Sequence, residues 1–287
     1  KTFNPLLVVA TAAVMLLLSS CVVHRTVAPA PTTTTVVTTT QPSYAVSRPV
    51  VSTSKRVIVA SATTPDISLD LDLQAVAALF AQSRDVETFE VLLNTETEGI
   101  NNLDLNGDGY VDYLRVLENY ENGVHVIVLQ AVLAQNIFQD VATLVVEREQ
   151  SAYYVQVVGN PYVYGENYIV QPTYYRAPLI YSTMWVYNYQ PWRSPYYWGY
   201  YPAHFSHHKP LPYSAYQPHI SRFMSNHAYC HQATYPTQVH YTNYQRVAQP
   251  ISRNDYSREN PQRSFAQRTA NMQQVRRGQQ QYATRVT

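Results

Sequence analysis

The stretch Asp104-Leu-Asn-Gly-Asp-Gly-Tyr-Val-Asp112 gathers hard oxygen donors at regular spacing. Asp104, Asn106 and Asp108 alternate along it, Tyr110 follows with a backbone carbonyl in phase, and Asp112 closes the run. Calcium takes about six to eight oxygens, and one short loop supplies most of them only with this spacing. Gly109 stands directly after the third donor, where a chain wrapping a cation turns sharply. The pattern reads as a calcium site built from the side chains of Asp104, Asn106, Asp108 and Asp112 and the carbonyl of Tyr110. The alternative is an acidic Asn/Gly turn without metal, since the same residues also make good turns.

The loop resembles the EF-hand family and, more closely, its short DxNxDG relatives of the dockerin-like type. The likeness rests on Asp104, Asn106, Asp108, Gly109, Tyr110 and Asp112. It departs at the twelfth position, where the family places a bidentate Glu and this chain has Arg115. Glu96, Glu98 and Glu118 are the nearby acids left to fill the gap, none at the family spacing. A missing ligand implies weak, structural binding, in the range of about 10⁻⁴–10⁻³ M seen for extracellular modules.

The elements around the loop follow from periodicity. Leu73, Val76 and Phe80 recur at helical spacing, with Asp70 or Asp72 as N-cap. Val86, Phe89 and Leu93 make a second helical set behind Ser83. Residues 110–118 read as a strand, so the arrangement is helix–loop–strand. Glu121-Asn-Gly123 is a hairpin turn. Strands at 124–133, 143–148 and 153–158 complete a meander, with Leu114 and Val116, Leu144 and Val146, and Val155 and Val157 facing alike. His125 falls inside the second strand and is assigned no role. The fold class is α+β: a small two-layer domain, a helical hairpin on an antiparallel β-meander, over residues 65–170, flanked by disordered segments. This block is similar to an uncharacterised family of secreted bacterial proteins. The likeness is carried by residues 99–109, by Gln139-Asp-Val-Ala-Thr143 and by Gln156-Val-Val-Gly-Asn-Pro-Tyr162, and it implies no activity.

The start of the chain reads as an export signal over residues 1–20. An apolar run from Leu6 to Leu18 is short for a bilayer span. Leu18-Ser-Ser-Cys21 is similar to the lipobox of bacterial lipoproteins, which implies lipidation at Cys21 and a membrane as partner. An ordinary secretory signal is the alternative. Val22-Val-His-Arg25 lacks the Asp of inner-membrane retention in that family, which implies a lipid-anchored place in the bacterial cell envelope, at the outer membrane. Residues 21–64 are rich in Thr and Pro and hold no acid until the domain begins, the composition of an extended tether.

After residue 170 the composition shifts to Tyr, Pro, His, Gln and Asn. Residues 171–250 read as a low-complexity, surface-seeking tail, because frequent prolines oppose long ladders. Seven of the nine histidines lie between 204 and 240. His204, His207, His208, His227, Cys230 and His231 form a possible second metal set, suited to zinc or copper, though irregular spacing favours adventitious binding. With Cys21 lipidated, Cys230 has no intramolecular partner. Residues 251–287 form a Gln/Arg-rich basic tail suited to an envelope polymer or left solvated.

The formal net charge is +1, so no whole-molecule field argues for a nucleic-acid partner. No nucleophile elbow, phosphate loop, HExxH or dinucleotide fingerprint is present. The reading is a non-enzymatic envelope protein with a calcium loop, acting by interaction with a protein or polymer. An adhesive role of the Tyr/Pro region and transition-metal binding by the histidines are the alternatives.

Overall fold

The computed structural model describes residues 67–150, 152–227 and 231–286. The chain divides into two units, Lys1–Arg56 and Val57–Thr287, and all described residues belong to the second. The signal, Cys21 and the whole tether lie outside the described residues.

Helix α1 (Leu73–Gln82) starts where Asp72 accepts from the backbone N–H groups of Gln74 and Ala75. That cap satisfies donors the first turn leaves open. Helix α2 (Val86–Leu93) is capped by Asp85, which accepts from Thr88 N at 2.7 Å. Ser83, expected to cap it, instead closes α1, with its hydroxyl donating to Leu79 O. The two apolar stripes meet edge-to-face at Phe80 and Phe89, centroids 5.5 Å apart.

Strands β1 (Tyr113–Glu121), β2 (Val124–Ala134), β3 (Ile137–Glu149) and β4 (Ala152–Gly159) form the meander. At the β1–β2 turn Asn122 and Gly123 both take positive φ, 51° and 84°, the twist that suits a two-residue hairpin. β3 starts earlier than its β-branched run suggests. A register shift pairs Leu129 with Ala142 but Gln130 with Asp140, leaving Val141 as the extra residue and bending the strand there. Beyond β4, helix α3 (Pro161–Tyr164) leads to β5 (Ile169–Tyr174), and β6 (His231–Thr234) completes a six-stranded antiparallel sheet in sequential order.

Both sheet faces are covered. Leu114, Val116, Ile127, Leu129, Leu144, Val146, Val155 and Val157 pack with α1 and α2. Leu117, Val124, Val126, Val128 and Val145 face the other way and meet Val247, Ala248 and Ile251. That second cover comes from helix α6 (Tyr244–Ala248) and the turn after it. A strand buried on both faces is mostly apolar rather than alternating, and β2 is buried from Val124 to Leu133, with only His125 and Gln130 polar in that run.

The low-complexity tail expected over 171–250 is thereby corrected for its described residues, and packing continues into the expected basic tail at Tyr256. Helix α4 (Tyr181–Met184), α5 (Tyr213–Asn226), α6 and α7 (Asp255–Glu259) all carry buried side chains. The physical reason is the chemistry of tyrosine. Its ring supplies apolar area while its hydroxyl needs one partner, and the core offers backbone carbonyls. Tyr174 donates to Ala77 O at 3.0 Å and Tyr216 to Ile100 O at 2.8 Å. Pro212 sits just before α5, where an amide N–H is dispensable, whereas Pro218 is carried within the helix. Helix α8 (Phe265–Val286) ends the described chain.

Candidate metal centre

The loop between α2 and β1 is held by buried asparagines. Asn94 accepts from Leu114 N at 2.8 Å and donates to Leu114 O at 2.7 Å, as a neighbouring strand would. Asn101 donates to Asp112 O at 2.8 Å. Asn102 repeats the two-way pairing with Leu211, at 2.6 and 3.0 Å. An amide side chain both donates and accepts, so these residues fix an irregular backbone that no strand flanks.

Within that frame the chain turns around Asp104. One of its carboxylate oxygens accepts from Gly107 N at 2.8 Å and Asp108 N at 3.1 Å, and the other accepts from Gly109 N at 3.0 Å. Asn106 Oδ1 accepts from Asp108 N, and Asp108 accepts from Tyr110 N. Asp112 is buried and accepts from Leu105 N at 2.6 Å. Burial, together with the charges of Asp104 and Asp108, pushes the Asp112 carboxyl well above the usual carboxylate range. The strand expected from residue 110 begins only at Tyr113, so Tyr110–Asp112 belong to the loop.

The donor set fits a hard cation in type and order: three carboxylates, one amide oxygen and one carbonyl on a single tight turn. Among the described residues no three His, Cys, Asp or Glu side chains stand together as a ready metal cluster. Calcium here would therefore depend on Asn106 and the Tyr110 carbonyl as well as the acids. One protein cation already touches the loop, since Arg263 donates to Asn106 O at 2.8 Å.

The acids weighed as the missing ligand fare differently. Glu118 lies far along β1 with both oxygens engaged, so it is not a loop residue. Glu96 accepts from the Ser206 hydroxyl at 3.3 Å. Arg115, at the twelfth position, runs across the sheet to Gln130 Oε1 and lies 3.7 Å over the Phe138 ring.

The histidines are dispersed into other contacts. His207 packs edge-on against Tyr201, Phe205 and Tyr110. The Nδ1 atoms of His208 and His227 lie at hydrogen-bond distance from Ser206 O and Phe223 O, and His204 is exposed. Cys230 and the His231 side chain fall outside the described set.

Two further acidic centres escaped the sequence reading. Glu90 of α2 is buried and accepts from Tyr113 OH at 2.7 Å, Trp192 Nε1 at 2.6 Å and Ser194 Oγ at 2.6 Å. Glu118 of β1 is fully buried. It accepts from Tyr189 OH at 2.6 Å and Trp192 N at 3.0 Å, and His125 Nδ1 lies 2.6 Å away. Trp185 and Tyr189 enclose the His125 ring, and its Nε2 meets no hydrogen-bond partner. A signal was present. Glu90 continues the apolar face set by Val86 and Leu93, and Glu118 alternates in phase with Leu114 and Val116. An acid at an inward position demands partners, and residues 185–194 provide them.

No family model matches the chain, and comparisons with curated proteins and with solved structures find no similar protein. Among the described residues no helix is long and apolar enough to cross a membrane.

Proposed function

We propose that this is a non-enzymatic, lipid-anchored protein of the bacterial cell envelope whose Asp104–Asp112 loop holds a structural calcium ion. The observation that supports it is the turn around Asp104, whose carboxylate collects the backbone N–H groups of Gly107, Asp108 and Gly109 and so closes the loop that carries Asn106, Asp108 and Tyr110. A bound calcium would supply positive charge to the acids and hold the helical layer to the first strand. Asp104, Asn106, Asp108, Asp112 and the Tyr110 carbonyl are the residues that would hold it. Asp112 gains most, because its charge is buried and has two acidic neighbours.

Loss of the family's twelfth ligand keeps the affinity low, so the ion acts as a staple rather than a sensor. Thermal unfolding of the full chain in detergent, with calcium or with chelator, tests this. Calcium at about 10 to 100 times its Kd should add about 1–3 kcal/mol. The gain should vanish in Asp104→Ala/Asp108→Ala. Equal melting temperatures with calcium and chelator would remove the metal from the reading.

The anchor is tested separately by fractionation of cells. Wild type should sediment with membranes, and Cys21→Ala should lose that behaviour. Recovery of both forms in the same membrane fraction would count against lipidation. Interaction runs through folded aromatic surface, because the described residues among 171–264 form packed helices and strands rather than a free tail.

A further inference from the structure

Residues 197–200, Tyr-Trp-Gly-Tyr, form a tight hairpin tip. Tyr197 N donates to Tyr200 O at 3.1 Å, and Tyr200 N donates back to Tyr197 O at 2.8 Å. Gly199 takes φ +81°, a left-handed conformation that a side chain would strain. The tip is braced from behind. Tyr200 packs on Tyr197 and Tyr196 at 5.2 and 5.8 Å, and Tyr196 meets the buried Tyr113 ring edge-on at 5.6 Å.

Three rings at this rigid tip face solvent: Tyr197 is 54 % exposed, Trp198 41 % and Tyr200 51 %. Among the described residues the Trp198 indole has no ring contact and no hydrogen-bond partner. The other two tryptophans are committed inward, Trp185 to Gly123 O and Trp192 to Glu90. An exposed indole between two phenols matches the interfacial zone of a bilayer, where such rings place an apolar body in lipid and a polar edge in water.

Charge points the same way. Between Glu166 and Asp255 the chain carries no Asp or Glu but has Arg176, Arg193, Lys209 and Arg222, besides Arg246 and Arg253, which pair with Glu121 and Asp255. Arg193 and Lys209 are exposed and flank the hairpin in sequence. The acids felt nearby come from other elements: Glu87 and Glu90 at Tyr196, Asp108 and Asp112 at Tyr201. The rings therefore lead the contact and the cations bias it toward anionic lipid.

We propose that the Tyr197–Tyr200 hairpin is a second membrane contact, inserting Trp198 into the interface of an anionic lipid bilayer. A lipid surface is favoured over a glycan because the indole is exposed at the hairpin tip, and the main clefts among the described residues are lined by other segments. The proposal leans on the anchor reading only for proximity.

The test uses the chain from Val22 onward, without the apolar run Leu6–Leu18 and without Cys21 so that no acyl chain contributes, and vesicles of phosphatidylcholine with one part in about four of phosphatidylglycerol, a composition chosen to supply anionic charge. The protein should sediment with the vesicles, and brominated acyl chains should quench its tryptophan emission. Adding Trp198→Ala should weaken binding about tenfold, the effect of losing one buried aromatic contact. Trp198→Phe should bind while losing the quenching, and Tyr175→Ala, an exposed tyrosine outside the hairpin, should change nothing. No sedimentation, or sedimentation indifferent to Trp198→Ala, overturns the proposal. So does Trp198-dependent retention on insoluble envelope glycan without vesicle binding. Because this protein is unlipidated, failure here leaves the anchor to be judged by cell fractionation alone.

Discussion

Single carboxylates organise this molecule. Glu90 and Glu118 each bury a charge that water would otherwise solvate, and each recovers the cost through three close partners drawn mainly from residues 185–194. Removing one end of such a cluster leaves several buried donors unpaired. Glu118→Ala should therefore cost about 3–5 kcal/mol in urea unfolding. The acid also gives a pH signature. Burial raises Glu90 above its usual 4.5, against the lowering effect of Ser194, Trp192 and Tyr113. The folded state then holds a proton in a window, starting near 4.5 and extending upward, where the unfolded chain has released it. Stability from this group is thus greatest at low pH and falls as pH rises through that window. Asp140, also raised by burial, has the same sign from 3.8 upward. Unfolding of Glu90→Gln across the acid range should show a flatter profile than wild type; an unchanged slope would mean Glu90 is not the group responsible.

Among the elements, α5 best shows how a polar sequence becomes core. It has a proline within it and low overall apolar content, yet Tyr216, Ile220 and Phe223 are buried along one face. Tyr216 is fully buried, and its hydroxyl both donates to Ile100 O and accepts from Asp72 N at 3.1 Å. It therefore ties α5 to the cap of α1 and to the approach of the Asp104–Asp112 loop. Tyr216→Phe, which leaves the ring but unpairs those groups, should cost about 1–3 kcal/mol. Tyr216→Ala, which also opens a cavity, should cost about 3–5 kcal/mol. Thermal melts of the two variants separate the hydroxyl from the ring. Equal melting temperatures for Phe and Ala would mean the ring does not fill the core.

At the scale of the whole molecule, the meander is not finished by residue 170. The face of β1–β3 opposite the helices is closed by Val247, Ala248 and Ile251. Asp140, on the bulged stretch of β3, accepts from Ser252 Oγ and from Arg253 N at 3.0 Å. A chain ending at residue 170 would expose that apolar face and leave Asp140 short of partners. It should be recovered aggregated or rapidly digested, whereas limited proteolysis of the full chain should leave a core reaching past Arg263. A stable, monomeric 65–170 fragment would contradict this account.

The sequence by itself determined the local elements. Asp72 capping α1, the Asn122-Gly123 turn, the in-phase faces of β1, β3 and β4, and the wrapping of residues 104–112 all follow from rules acting over a few residues. What only the tertiary structure decided is where the tyrosines go. A tyrosine-rich, proline-broken stretch has no period that distinguishes solvent from core, because each ring suits either place and its hydroxyl accepts any carbonyl within reach. The inward positions of Glu90 and Glu118 were legible in helix and strand phase. Their partners were not, since Trp192 lies 102 residues from Glu90 and 74 from Glu118 in sequence. Pairing at such separation depends on residues 192–194 running along the free edge of β1, which no local pattern encodes.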